Sequence, residues 1–171
     1  MADRRMADEL LHFSSKPLTH VRDVAQEARD GRSDKPNGLW LSVGTAWPEW
    51  CLGESFACDR LSVITRVVLA EDARILWLAS SGVLDEFTKC YSLDPARHAA
   101  FYRDRDSIDW SRVADHYDGI VIAPYIYERR HSLPWYYGWD VASGCVWRGR
   151  AVASLESFAL DLAALAAVED V

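Results

Sequence analysis

The sequence has no apolar run near the roughly 18–20 residues that a membrane span requires. Residues 1–13 carry basic side chains with no apolar stretch behind them, so no secretory signal is visible and the cytoplasm is the expected compartment. No Gly-x-Gly-x-x-Gly and no phosphate-loop signature is present, which sets aside a Rossmann dinucleotide site and P-loop hydrolysis. Cysteine is scarce: 4 residues, at 51, 58, 90 and 145, with no C-x-x-C spacing. They read as buried thiols, with no metal and no disulfide. Positive charge is also in deficit, 19 Lys and Arg against 26 Asp and Glu, for a net charge of -7. That argues against a general nucleic-acid binder working by phosphate neutralisation. Arg129, Arg130 and His131 form the densest basic cluster after Arg4 and Arg5. No repeat, low-complexity tract or long Pro/Gly linker divides the chain, so one domain is expected over residues 1–171, with its core at about 10–150.

What the sequence does have is tryptophan, 8 in 171 residues, within a composition that is 50% hydrophobic. A chain of this length buries about 70% of its unfolded surface, enough for a core without staples. Composition divides the eight indoles evenly between a packed core and a pocket or surface.

Residues 10–15 read as a first strand and 38–43 as a second, separated by a polar, turn-rich loop at 30–37. Residues 18–29 hold a short helix or an irregular segment. Residues 45–57 open on a Pro-containing turn and continue as a helix. The β-branched stretch 61–69 and the segment 74–78 pair as strands around Glu71-Asp72. Helices are expected at 81–91, capped by Ser80 or Ser81, at 94–106 and at 108–116. A buried strand covers 117–122, a loop 124–134, and a strand 145–148. An amphipathic Ala/Leu helix closes the chain at 155–168. Short strands mixed with short helices and no βαβ rhythm give an α+β domain.

Three polar residues interrupt strongly apolar stretches: His12 in LLHFSS, Ser42 in GLWLSVG, and Asp140 in WYYGWDVASGCVW. Such a group costs free energy unless it is satisfied, so each is either a hydrogen-bonded structural residue or a functional one. His12 fits a structural histidine at a strand end as well as a ligand contact. Asp140 fits a turn-capping carboxylate as well as an acid.

The order of these pieces resembles the ADP-ribosyltransferase fold over roughly residues 10–150. LLHFSS matches that family's first-strand histidine element, with Ser14 two residues after His12; GLWLS matches its aromatic strand; YDGIVI matches a later strand; and Asp140 ahead of GCVW stands at its acidic position. Two departures are visible: the family's acid is usually glutamate, and its strand aromatic is usually tyrosine. The resemblance implies a split mixed β-sheet sandwich with short helices, and NAD as substrate with no metal. His12, Phe13, Ser14, Leu39, Trp40, Ser42 and Trp139 would bind NAD, and Asp140 with His12 would be catalytic. Glu128 is the alternative acid. The loop bearing Tyr125, Tyr127, Glu128, Arg129 and Arg130 would face a protein or nucleic-acid acceptor. The implied activity is mono-ADP-ribosylation, of the kind a small bacterial or phage-type toxin or effector performs. NAD glycohydrolysis at the same site is one alternative, and a non-catalytic aromatic-rich binding module is another. On this reading Trp40 stacks on nicotinamide and Trp135 and Trp139 shield the acid. Trp47, Trp50, Trp77, Trp110 and Trp147 belong to the core.

Overall fold

Residues 63–68 are mostly β-branched, and they form the strand around which one half of the molecule is built. In the computed structural model, which describes residues 9–26, 35–93, 107–163 and 165, this strand is β3 (Val63–Leu69). The other strands are β1 (Leu10–Ser14), β2 (Leu39–Val43), β4 (Ile75–Leu78), β5 (Gly119–Ile122), β6 (Ser143–Val146) and β7 (Val152–Ala159). They form one seven-stranded mixed sheet in the order β4-β5-β6-β2-β1-β3-β7. Only β4 and β5 run parallel. Helices α1 (Ala46–Gly53), α2 (Ser81–Tyr91) and α3 (Trp110–His116) accompany the sheet, and residues 162, 163 and 165, after β7, are also helical. The domain is therefore α+β, and no helix among the described residues is long and apolar enough to cross a membrane.

The sheet is unevenly joined. β2 pairs with β6 through four residue pairs, from Leu39↔Val146 to Ser42↔Ser143. β1 pairs with β3 from Leu11↔Arg66 to Ser14↔Val63. Between β1 and β2 only Leu10↔Val43 and Leu11↔Ser42 pair. Beyond Leu11 the two strands part, so β4-β5-β6-β2 and β1-β3-β7 meet at a fork. Gly38 sets the entry to β2: its φ is +153°, and a Cβ there would stand 2.4 Å from the Val146 carbonyl oxygen.

Side-chain alternation distributes the core about this sheet. Leu10, Leu41, Val67, Val121 and Val146 form one apolar cluster that spans both halves. Ile120, Ile122 and Cys145 join a second cluster, roofed by Leu84 and Phe87 of α2, Trp110 and Val113 of α3, and the 3-10 turn Pro134–Tyr136. Leu11 and Phe13 join a third with Cys51 of α1 and Leu61. Helix boundaries follow local chemistry. Ser80 caps α2 by accepting from the Val83 N–H, and Asp109 caps α3 by accepting from the Arg112 N–H. Pro48 lies in the first turn of α1, where its missing N–H costs nothing.

Several expectations are corrected. Residues 155–159 are not helical: they belong to β7, which pairs with β3 from Val63↔Ala159 to Leu69↔Val152, whereas residues 162, 163 and 165 of the expected helix are helical. Residue 164 and residues 166–168 lie outside the described residues, as does the helix expected at 94–106. Residues 18–26 carry no regular element. Trp77, expected in the core, is 52% exposed on β4, an edge strand. Cys51 and Cys145 are buried thiols, but Cys58 is only half-buried and Cys90 is exposed.

Candidate functional site

The fork between β1 and β2 opens into a cavity of about 280 Å³, lined mainly by apolar side chains. From β1 come Leu11, His12 and Phe13, and from β2 come Trp40, Leu41 and Ser42. Trp139 and Asp140, on the segment leading into β6, form another wall, with Lys35 ahead of β2. Three residues scattered in sequence, His12, Trp40 and Asp140, thus line a single cleft.

Each has a defined partner. His12 Nδ1 lies 2.9 Å from the Trp40 carbonyl oxygen. A carbonyl only accepts, so Nδ1 carries the proton, and in the neutral ring Nε2 remains an acceptor. This bond bridges the two strands just where their ladder stops. The Ser42 hydroxyl accepts from the Trp47 N–H at 3.0 Å, satisfying one of the open donors at the start of α1. Trp40 and Trp139 meet edge to face with centroids 4.8 Å apart. Trp139 is buried, and its Nε1–H has no acceptor among the described residues.

Asp140 is approached by two cations. Arg130 Nη2 donates to its Oδ1 at 3.3 Å, with both side chains about three-quarters covered. Lys35 lies near enough for the carboxylate to act on its charge: burial lowers the Lys35 pKa, and Asp140 works in the opposite direction. The Lys35 Nζ stands 5.1 Å from the Trp40 ring centroid, in cation–π range. Lys35 sits in the segment expected to be a polar loop. Nothing in its local sequence marks it, because its importance depends on chain segments distant in sequence.

Other expected site residues lie elsewhere. The Ser14 hydroxyl donates to the Lys16 carbonyl at the surface, and Leu39 packs at the edge of the cluster spanning both halves; neither lines the cavity. Trp135 does not shield the acid; it is buried in the roof of the sheet, donating through Nε1 to the Thr88 hydroxyl. Trp47, expected in the core, lines the cavity and stacks on Trp50 with centroids 5.1 Å apart. In the loop after β5, Tyr127 and Glu128 are exposed, on a 3-10 turn Tyr127–Arg129. Arg129 is committed to a two-pronged pair with Asp85 of α2, both contacts at 2.7 Å. Tyr136 accepts the Ile126 N–H through its hydroxyl, and Tyr125 packs on the Tyr136 ring. The loop is therefore tied to α2 and to Tyr136, and Arg130 reaches the cleft acid.

Among the described residues no three His, Cys, Asp or Glu side chains gather into a group that could hold a metal ion. No family model, no curated protein and no solved structure matches this chain.

Proposed function

We propose that this chain is a mono-ADP-ribosyltransferase of ADP-ribosyltransferase-like fold, which moves ADP-ribose from NAD to a macromolecular acceptor. The observation that carries the reading is the convergence of His12, Trp40 and Asp140 on the cleft at the strand fork. A cavity of about 280 Å³ is at the small end for a ligand site, and suits the nicotinamide riboside portion of NAD with the rest outside.

The chemistry follows from the residues. The Trp40 indole offers a flat electron-rich face to the cationic nicotinamide ring. His12, its tautomer set by the Trp40 carbonyl, presents Nε2 as an acceptor for a ribose hydroxyl. As the bond between ribose C1′ and the ring nitrogen breaks, its electron pair leaves with nicotinamide, which becomes neutral. Positive charge then develops on the ribose, where the Asp140 carboxylate stabilises it. The acceptor nucleophile forms the new bond to C1′ and gives up a proton. Arg130, which pairs with Asp140, would hold the pyrophosphate.

The test is incubation of the purified protein with labelled NAD and cell lysate. Label should pass to a macromolecule, and Asp140→Ala and His12→Ala should abolish transfer with circular dichroism unchanged. Nicotinamide release without transfer would make water the acceptor and the activity NAD glycohydrolysis. Absence of NAD binding by calorimetry at millimolar concentration would overturn both and leave a binding module.

A further inference from the structure

The Lys35 side chain occupies an unusual position for a surface cation. Its ammonium stands over the Trp40 ring at 5.1 Å, inside an apolar cleft, with the Asp140 carboxylate close enough to support its charge. Its Cε lies where a Cβ on Gly138 would come within 3.0 Å, so the absence of a side chain at 138 makes room for it. Trp139 stands edge to face with Trp40 beside it. An indole face, a second indole at its edge and a carboxylate together are what a protein uses to bind an organic cation: the rings supply the quadrupole, the acid supplies the counter-charge, and the apolar walls reduce competition from water.

We infer that the Trp40–Trp139–Asp140 corner is a binding site for a planar organic cation, and that the Lys35 ammonium holds that ligand's place in the free protein. The inference rests on the NAD reading only for the identity of the ligand, whose nicotinamide ring is such a cation. The lysine is a tethered competitor. It is always present at the site, and an incoming cation must displace it from the indole face beside Asp140. Its flexible four-carbon stem lets the ammonium swing out to water without moving the backbone. The sign of its effect is therefore opposite to that of a lysine that grips a ligand. Removing Lys35 tightens binding of a cation and leaves a neutral ring of the same shape unaffected.

The experiment titrates N1-methylnicotinamide, nicotinamide and NAD into the full-length protein and its Lys35→Met and Lys35→Arg variants, followed by tryptophan fluorescence and calorimetry. Lys35→Met should bind N1-methylnicotinamide about threefold to tenfold more tightly than the unaltered protein, with nicotinamide unchanged. Lys35→Arg keeps a competing cation and should stay near the unaltered affinity. The inference is overturned if Lys35→Met gains nothing for the cation, if it gains equally for nicotinamide, or if no variant binds the cation. NAD binding without a Lys35→Met gain for the cation would sink this inference and leave the NAD reading standing. A gain for the cation with no NAD binding would uphold the site and sink that reading.

Discussion

His12 Nδ1 donates to the Trp40 carbonyl at 2.9 Å, across the line where β1 and β2 cease to pair. The side chain does there what a backbone N–H does elsewhere in the ladder. It satisfies the carbonyl and holds the two strands at a separation that leaves the cleft open. His12→Ala should cost about 1 kcal/mol of stability, the usual net value of such a bond, seen as a lowered urea midpoint with unchanged slope. The same variant should lose at least about tenfold in affinity for NAD, because Nε2 is its proposed ribose acceptor.

Asp118 is fully buried between Arg74 and Arg150, accepting from Arg150 Nη2 at 2.7 and 2.9 Å and from the Arg74 backbone N–H at 3.0 Å. Burial pushes its pKa up, but the Arg74 N–H and the two guanidinium groups together outweigh this and leave it below the usual carboxylate value. A lowered folded-state pKa contributes stability that is complete above the unfolded value, near pH 4, and is lost as pH falls through the lower folded value. Asp118→Asn should therefore destabilise at pH 7 by about 1–2 kcal/mol, since Arg74 and Arg150 are half exposed and stay hydrated when the carboxylate is lost. The gap from the unaltered protein should close on acidification below about pH 4, read from denaturation curves across pH.

Trp135 and Trp77 should differ sharply in their response to truncation. Trp135 is buried among Phe87, Trp110 and Trp139 and donates to Thr88, so Trp135→Ala should cost about 3–5 kcal/mol. Trp77 stands half exposed on edge strand β4, and Trp77→Ala should change stability by no more than about 0.5 kcal/mol. Thermal unfolding of the two variants checks both.

The thiols divide by access. Cys90 is exposed and should react first with a thiol reagent in the native state. Cys51 is buried, and burial with the neighbouring Cys58 pushes its pKa up to about 11; burial also raises that of Cys145. Both should stay unmodified until denaturant is added, as followed by mass spectrometry of labelled peptides.

The elements set by local chemistry were legible in the sequence. The β-branched run became β3, the serine-capped stretch became α2 at 81–91, and polar residues within apolar strands marked His12, Ser42 and Asp140. Features decided by partners were not. The helix expected from 155 starts later: residues 155–159 lie along the long edge of β3 and pair with it, and helical backbone follows at 162, 163 and 165. Trp77 reads as core because strands usually bury tryptophan; its exposure follows from β4 lying at the end of the strand order. Lys35 gains its role only when Trp40, Gly138 and Asp140 are brought around it.

The two-rung seam between β1 and β2 has a mechanical consequence. Ladders resist shear in proportion to their rungs, and this join has two paired positions against four in the pairing on either side of it. By that count it is the weakest join in the sheet, backed by the apolar layer through Leu10 and Leu41. His12 and Phe13 ride on one side of that line, and Trp40, Ser42 and Asp140 on the other. A small rotation about it would change the gape of the cleft while the rungs within each half stay closed.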